Sequence, residues 1–174
     1  AIADITLEQK QDAYTDPLTG IANRRFITSH FLKLAQTRPE QYLPFSILLI
    51  DLDNFKSLND THGHDFGDTV LIEFTKLLES QFLATALKAR YGGEEFVVIL
   101  PQLTASAASV IANKFREAVA GHVIFTADKQ RISITCSIGI SQVNKVTDYD
   151  DSLKQADEAL YSAKAAGRNR VVSN

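Results

Sequence analysis

Apolar residues along the 174-residue chain fall into two kinds of run, unbroken stretches and stretches spaced at threes and fours. The clearest unbroken stretch is FSILLIDLD, apolar from Phe45 to Ile50 and ending in Asp51 and Asp53. It predicts a strand buried on both faces, with acids where it emerges. LKARYGGEEFVVIL predicts two short strands joined by a turn at Gly92-Gly93. HVIFTADKQRISITCSIGISQV predicts a strand pair turning at Ala127 to Gln130, and VVSN a short final strand.

Helical spacing appears four times. Phe26, Ile27, His30, Phe31 and Leu34 form one set, stopped by Pro39. Val70, Leu71, Phe74, Leu77 and Leu78 form the second, preceded by the polar stretch NDTHGHDFGD, which predicts a turn. SAASVIANKFREAVAG, ended by Gly121, is the third. In the last, Leu153, Ala156, Leu160 and Ala163 share a face that ends at Gly167. Asp16-Pro17 is expected to cap a further helix, with Pro at its first position. Hairpins interrupt the strand–helix alternation, so the fold class is α/β (α+β) with a mixed sheet and packed helices.

The domain is expected to span residues 16–174. Residues 1–15 are polar and helix-permissive, with too few apolar positions for a core helix, and are expected to end a connecting helix. No methionine is present, which suggests a piece of a longer protein. A net charge of −3 argues against general nucleic-acid binding but leaves room for a local basic pocket. The single cysteine, Cys136, lies in an apolar run and reads as an inert buried thiol. With no signal peptide and no apolar span long enough for a bilayer, a cytoplasmic setting is expected.

Two strand ends carry paired acids, Asp51 with Asp53 and Glu94 with Glu95. Taken singly, either pair is more often surface decoration. If the strands are neighbours, an aspartate and a glutamate converge, and like charges held close are unfavourable. Mg²⁺ relieves that repulsion and also accepts phosphate oxygens and water. Two such metals polarise a phosphoryl group and activate an attacking hydroxyl. An EF-hand reading of DLDN fails at Phe55 and Lys56, and His62 with His64 lack a third ligand nearby.

Four stretches in order, DPLTGIANRR, DLDNFKSLNDTHGHDFGD, RYGGEEF and ADEALYSAKAAGRN, make the chain resemble the diguanylate cyclase (GGDEF) family from about Asp16 to Val172. Glu94 fills the slot where the family name has Asp. The resemblance implies a polymerase-palm or nucleotide-cyclase-like domain, a central sheet of about five strands with surrounding helices, that joins two GTP into cyclic di-GMP. It implies Mg²⁺ or Mn²⁺, two per active site, held by Asp51, Glu94 and the Leu52 carbonyl. Amides around Asn54 and Phe55, with Lys56, would hold the β and γ phosphates. Asn59 and Asp68 would read guanine, and Lys164 and Arg168 would contact phosphates from the last helix. Glu95 adjoins the metal site without a defined role.

The resemblance further implies a homodimer with apposed sites and an upstream sensory domain in the parent protein. Nucleic acid and direct membrane contact by this domain are not expected, and membrane attachment of the parent stays open. Many relatives carry an RxxD product-inhibition site; its positions hold Leu83, Ala84, Thr85 and Ala86 here, so no inhibition is expected through it. Two alternatives stand beside an active cyclase: a silent GTP-binding or partner-docking module, and a related dinucleotide cyclase.

Overall fold

The computed structural model describes residues 13–174. Its main sheet comprises β1 (Ala22–Asn23), β2 (Phe45–Leu52), β3 (Leu87–Gly92), β4 (Glu95–Pro101), β7 (Cys136–Val143) and β8 (Val171–Ser173). A separate two-stranded hairpin joins β5 (Val123–Phe125) to β6 (Arg131–Ser133). The main order is β1-β3-β4-β2-β7-β8, with antiparallel pairing in the centre and a parallel pair at each edge. Among the described residues the sheet thus has six strands, in keeping with the expected central sheet of about five. Its two edge strands are only two and three residues long.

Every residue of β2 is buried, as expected for the central strand of a sheet covered on both faces. Its side chains alternate between two cores. Leu48, Ile50 and Leu52 join Phe74, Phe96 and Phe115 on one face, while Phe45, Ile47 and Leu49 join Ile27, Phe31 and Leu160 on the other.

Among the described residues, six helices surround the sheet. The first, α1, runs through Arg24–Phe26, a π-helical turn at Ile27–Phe31, and Leu32–Thr37. The others are α2 (Pro39–Tyr42), α3 (Phe55–His62), α4 (His64–Gln81), α5 (Ala105–Ala120) and α6 (Tyr149–Ala165). Helix α6 lies close against β7 because Gly139 has no side chain. A Cβ there would stand 2.1 Å from the Ala156 carbonyl oxygen and 2.4 Å from the Leu160 nitrogen. That contact brings the end of α6 to the acidic edge of the sheet.

Several local expectations are corrected. No helix begins at Asp16-Pro17; instead the Asp16 carboxylate accepts from Thr19 N and Oγ1, and Gly20 N donates to the Asp16 carbonyl, closing a turn. The stretch 59–68 is not a polar turn but the end of α3 and the start of α4, broken only at Gly63, where φ is +88°. Its polarity misled because α3 buries no residue completely, and Phe55, Leu58 and Phe66 pack on the core only in part. The pair predicted at 122–143 divides in two, since β6 stays with β5 while β7 enters the main sheet. Of the connecting helix expected over residues 1–15, residues 1–12 lie outside the described residues, and Ala13 and Tyr14 are helical. Among the described residues no helix is long and apolar enough to cross a membrane.

Candidate active site

Register brings the acids together. In the antiparallel β2–β4 pair, Asp51 stands opposite Glu95, and Glu94 sits in the turn just before β4. Gly93, at φ +47°, supplies the left-handed backbone for that turn. Leu52 N donates to the Glu94 carbonyl at 3.3 Å, fastening the turn to the end of β2. Arg90 completes the clamp: its Nε and Nη2 donate to the Gly93 carbonyl at 3.0 and 2.8 Å, and Nη1 reaches both Asp16 oxygens at 3.2 Å. Burial pushes the Asp16 carboxyl up, but the bonds from Thr19 and Arg90 outweigh it and hold it below the usual range.

A cleft of about 500 Å³ opens at this edge, lined by Asp51, Leu52, Asp53, Asn54, Phe55, Lys56, Glu94, Lys164 and Arg168 among others. Of the site residues expected from sequence, most meet here. Lys164 Nζ donates to Asp51 Oδ2, while Asp51 Oδ1 is buried with no hydrogen-bond partner. Burial raises the Asp51 carboxyl above its ordinary value; Lys164 opposes this, and Glu94 and Asp53 add to it. Glu95 is raised too, by burial first and then by Asp51. An orphaned buried oxygen among several carboxylates suits a hard divalent cation, which removes both the missing contact and the repulsion. Among the described residues no three His, Cys, Asp or Glu side chains cluster as metal ligands. A cation held here would therefore need further oxygens from outside these side chains.

Part of the cleft wall is built by the start of α3. Asn54 precedes α3 in a left-handed conformation, φ +57°, and its side chain makes no capping bond. The first amides of α3, like those of any helix, have no intrahelical acceptor, and Asn54, Phe55 and Lys56 line the cleft. Lys56 and Arg168 are exposed, and Lys164 is partly so.

Asn59 and Asp68 do not line this cleft. Asn59 lies against Gly67 where α3 meets α4. A Cβ at Gly67 would lie 1.8 Å from Asn59 Oδ1, so glycine there makes room for the amide, whose Oδ1 is buried without a partner. Asp68 is exposed one residue later.

Sequence reasoning missed Arg90 and Asp16 as supports of the turn. The signal was present, since Arg90 stands two residues before Gly92 and one strand width from the start of the domain, but charge alone does not reveal a partner 74 positions away. Cys136 is fully buried and its thiol is raised by desolvation, as expected for an inert core residue. Leu83 and Ala86, at the positions of the inhibitory motif, border a separate apolar cavity of about 500 Å³ with Phe82, Leu103 and Phe115.

Known proteins resemble the chain over most of its length. The family model "Diguanylate cyclase, GGDEF domain" matches residues 13–170. The chain is 46% identical over 162 residues to the response regulator PleD of Caulobacter vibrioides, covering 92% of this chain and 36% of that protein. It is 35% identical over 156 residues to diguanylate cyclase DosC of Escherichia coli, covering 90% and 34%. The chain thus spans about a third of the length of these relatives. Among solved structures, the coiled coil and GGDEF domain of DgcB from Caulobacter crescentus, in complex with c-di-GMP, superposes with a TM-score of 0.89 at 28% identity, covering 99% of this chain and 92% of that one.

Proposed function

Because the chain belongs to the GGDEF domain family of diguanylate cyclases, we propose that it condenses two GTP into cyclic di-GMP, releasing two pyrophosphates. The observation that carries this reading is the bare, buried Asp51 oxygen in a cleft shared with Glu94 and Lys164. Asp51, Glu94 and the Leu52 carbonyl would hold Mg²⁺ or Mn²⁺. When bound, the cation supplies Lewis-acid polarisation of the phosphoryl oxygens and lowers the pKa of the attacking hydroxyl.

The chain's own residues do the rest. The amides opening α3 and Lys56 bind the β and γ phosphates, where a helix N-terminus favours anions. Lys164 and Arg168 offset charge that develops on the phosphoryl oxygens as the 3′-hydroxyl of one GTP attacks the α-phosphorus of the other. Pyrophosphate departs in line. Asn59 and Asp68 select the base; a carboxylate accepts from both guanine N1–H and N2–H, whereas adenine offers no such donor pair. Glu95, cross-strand from Asp51, supports the carboxylate geometry.

One domain holds one GTP, so catalysis requires two copies with facing sites. In this reading an upstream sensory region of the parent protein controls that encounter in the cytoplasm. Incubation with GTP and Mg²⁺, with products identified by mass, tests the proposal. Cyclic di-GMP is the expected product; none, even after fusion to a dimerising coiled coil, overturns it.

A further inference from the structure

Asp53 follows directly after β2, two positions beyond Asp51, and both its oxygens are engaged. Oδ1 accepts from Ser137 Oγ at 2.7 Å; Oδ2 accepts from Thr135 Oγ1 at 2.7 Å and from Asn169 N at 3.0 Å. Its own N–H donates to the Thr135 carbonyl at 2.9 Å. Asp53 is 8% exposed. Asp51 is the reverse case, with one oxygen free of any donor.

The third donor gives Asp53 its meaning. After α6 the chain passes through three successive positive φ values, +124° at Gly167, +63° at Arg168 and +45° at Asn169. Two of these residues are not glycine, and such conformations persist only where the surroundings hold them. Asp53 binds the loop through the Asn169 amide, and Arg116 Nη1 holds the Asn169 side chain at 2.8 Å. Arg168, between the two left-handed neighbours, lines the cleft.

We propose that Asp53 is a positioning residue that locks the 167–169 loop so that Arg168 faces the triphosphate. Asp53 joins three chain segments: the end of β2, the start of β7 and the loop after α6. This rests on the reading of Arg168 as a phosphate contact. In that arrangement the two acids of DLD divide the work, Asp51 toward the cation and Asp53 toward the arginine that meets the anion.

The test compares Asp53→Ala, Asp53→Asn, Arg168→Ala and the Asp53→Ala/Arg168→Ala pair, with Asp53→Ser in place of alanine should that variant not fold. Two quantities are read: affinity for the non-hydrolysable α,β-methylene analogue of GTP with Mg²⁺, and amide hydrogen exchange over residues 168–170 without nucleotide. Asp53→Ala is expected to weaken the analogue about tenfold, as Arg168→Ala does, with no further loss in the pair. Exchange at 168–170 should speed up. Asp53→Asn should recover most of the affinity, because its carbonyl still accepts from Thr135 and Asn169 while Ser137 turns to accept from the amide.

Additive losses in the pair, or unchanged exchange, overturn the proposal. So does an Asp53→Asn variant as impaired as alanine with lowered Mn²⁺ affinity in the absence of nucleotide, the pattern of a metal ligand. Failure of the cyclase reading is distinct: wild-type protein then binds no analogue, while exchange still reports whether Asp53 holds the loop.

Discussion

Lys164 Nζ donates to Asp51 Oδ2, joining the last turn of α6 to the end of β2 across 113 positions of sequence. The pair shares the cleft with Glu94, so the lysine stands in for part of the positive charge that the acids require. It does not stand in for all of it. Burial still raises both Asp51 and Glu95 above ordinary carboxylate values.

The pH dependence of stability follows with a definite sign. A carboxylate raised in the folded state binds protons better folded than unfolded, so its contribution is complete below the unfolded value and is lost as pH rises through the folded one. Asp16 and Glu73 are lowered instead, and their contributions vanish as pH falls below the ordinary range. Metal-free protein should therefore melt highest near the ordinary carboxylate range, about pH 4 to 5, and lower toward neutrality. Melting curves against pH check this. Asp51→Asn should flatten the decline, and Mg²⁺ should raise the wild-type melting temperature at pH 7 while leaving that variant unchanged.

Arg90 fixes the turn that carries Glu94, and its fork meets the Gly93 carbonyl and Asp16 together. Arg90→Ala is expected to lower turnover on the order of 10²-fold, the scale of a misplacement near 1 Å. Arg90→Lys should recover little, because an ammonium cannot reproduce the planar fork. Steady-state rates alongside melting temperatures separate this from unfolding: the rate should fall far more than the stability.

Gly67 offers a way to move Asn59 without touching it. Alanine at position 67 would meet the amide oxygen at 1.8 Å, the movable end of a side chain, in a helix where alanine is preferred by about 1 kcal/mol. Gly67→Ala should keep the melting temperature within a few degrees while raising KM for GTP and weakening preference for guanine over adenine. Adding Asn59→Ala to it should change KM little, since both act on one contact.

Gly139 is the opposite case. A Cβ there meets helix backbone, at 2.1 Å and 2.4 Å, and backbone cannot swing aside. Gly139→Ala should push α6 from β7 and destabilise the fold by about 1–3 kcal/mol or more. Urea unfolding measures it, and Lys164 leaving Asp51 should reduce activity even where the protein remains folded.

The parts legible in sequence were those with strong periodicity or continuous burial. The run ending at Asp51 announced β2, and the apolar spacing from Val70 to Leu78 announced the body of α4. Asn59 to Asp68 did not announce their helices, because a surface beside a polar cleft has no apolar stripe to read. Asp16 failed for another reason: Asp-Pro is compatible with both a cap and a turn, and the choice fell to Thr19 nearby and Arg90 far away. In the site, the acids at two strand ends and the family resemblance led to the expectation that Asp51 and Glu94 meet, but the split between a bare oxygen on Asp51 and three donors on Asp53 depends on β7 and the 167–169 loop. No local pattern encodes that.

The position of α6 late in the chain has a consequence for biosynthesis. When a ribosome has delivered β2, β3 and β4, the acids of both strand ends exist but their lysine has not yet been made. The emerging sheet edge carries mutual repulsion that Lys164 eases in part once α6 docks on Gly139. The cleft shared by Asp51, Glu94 and Lys164 is thereby complete only once α6 has been made, well after the strands that carry its acids.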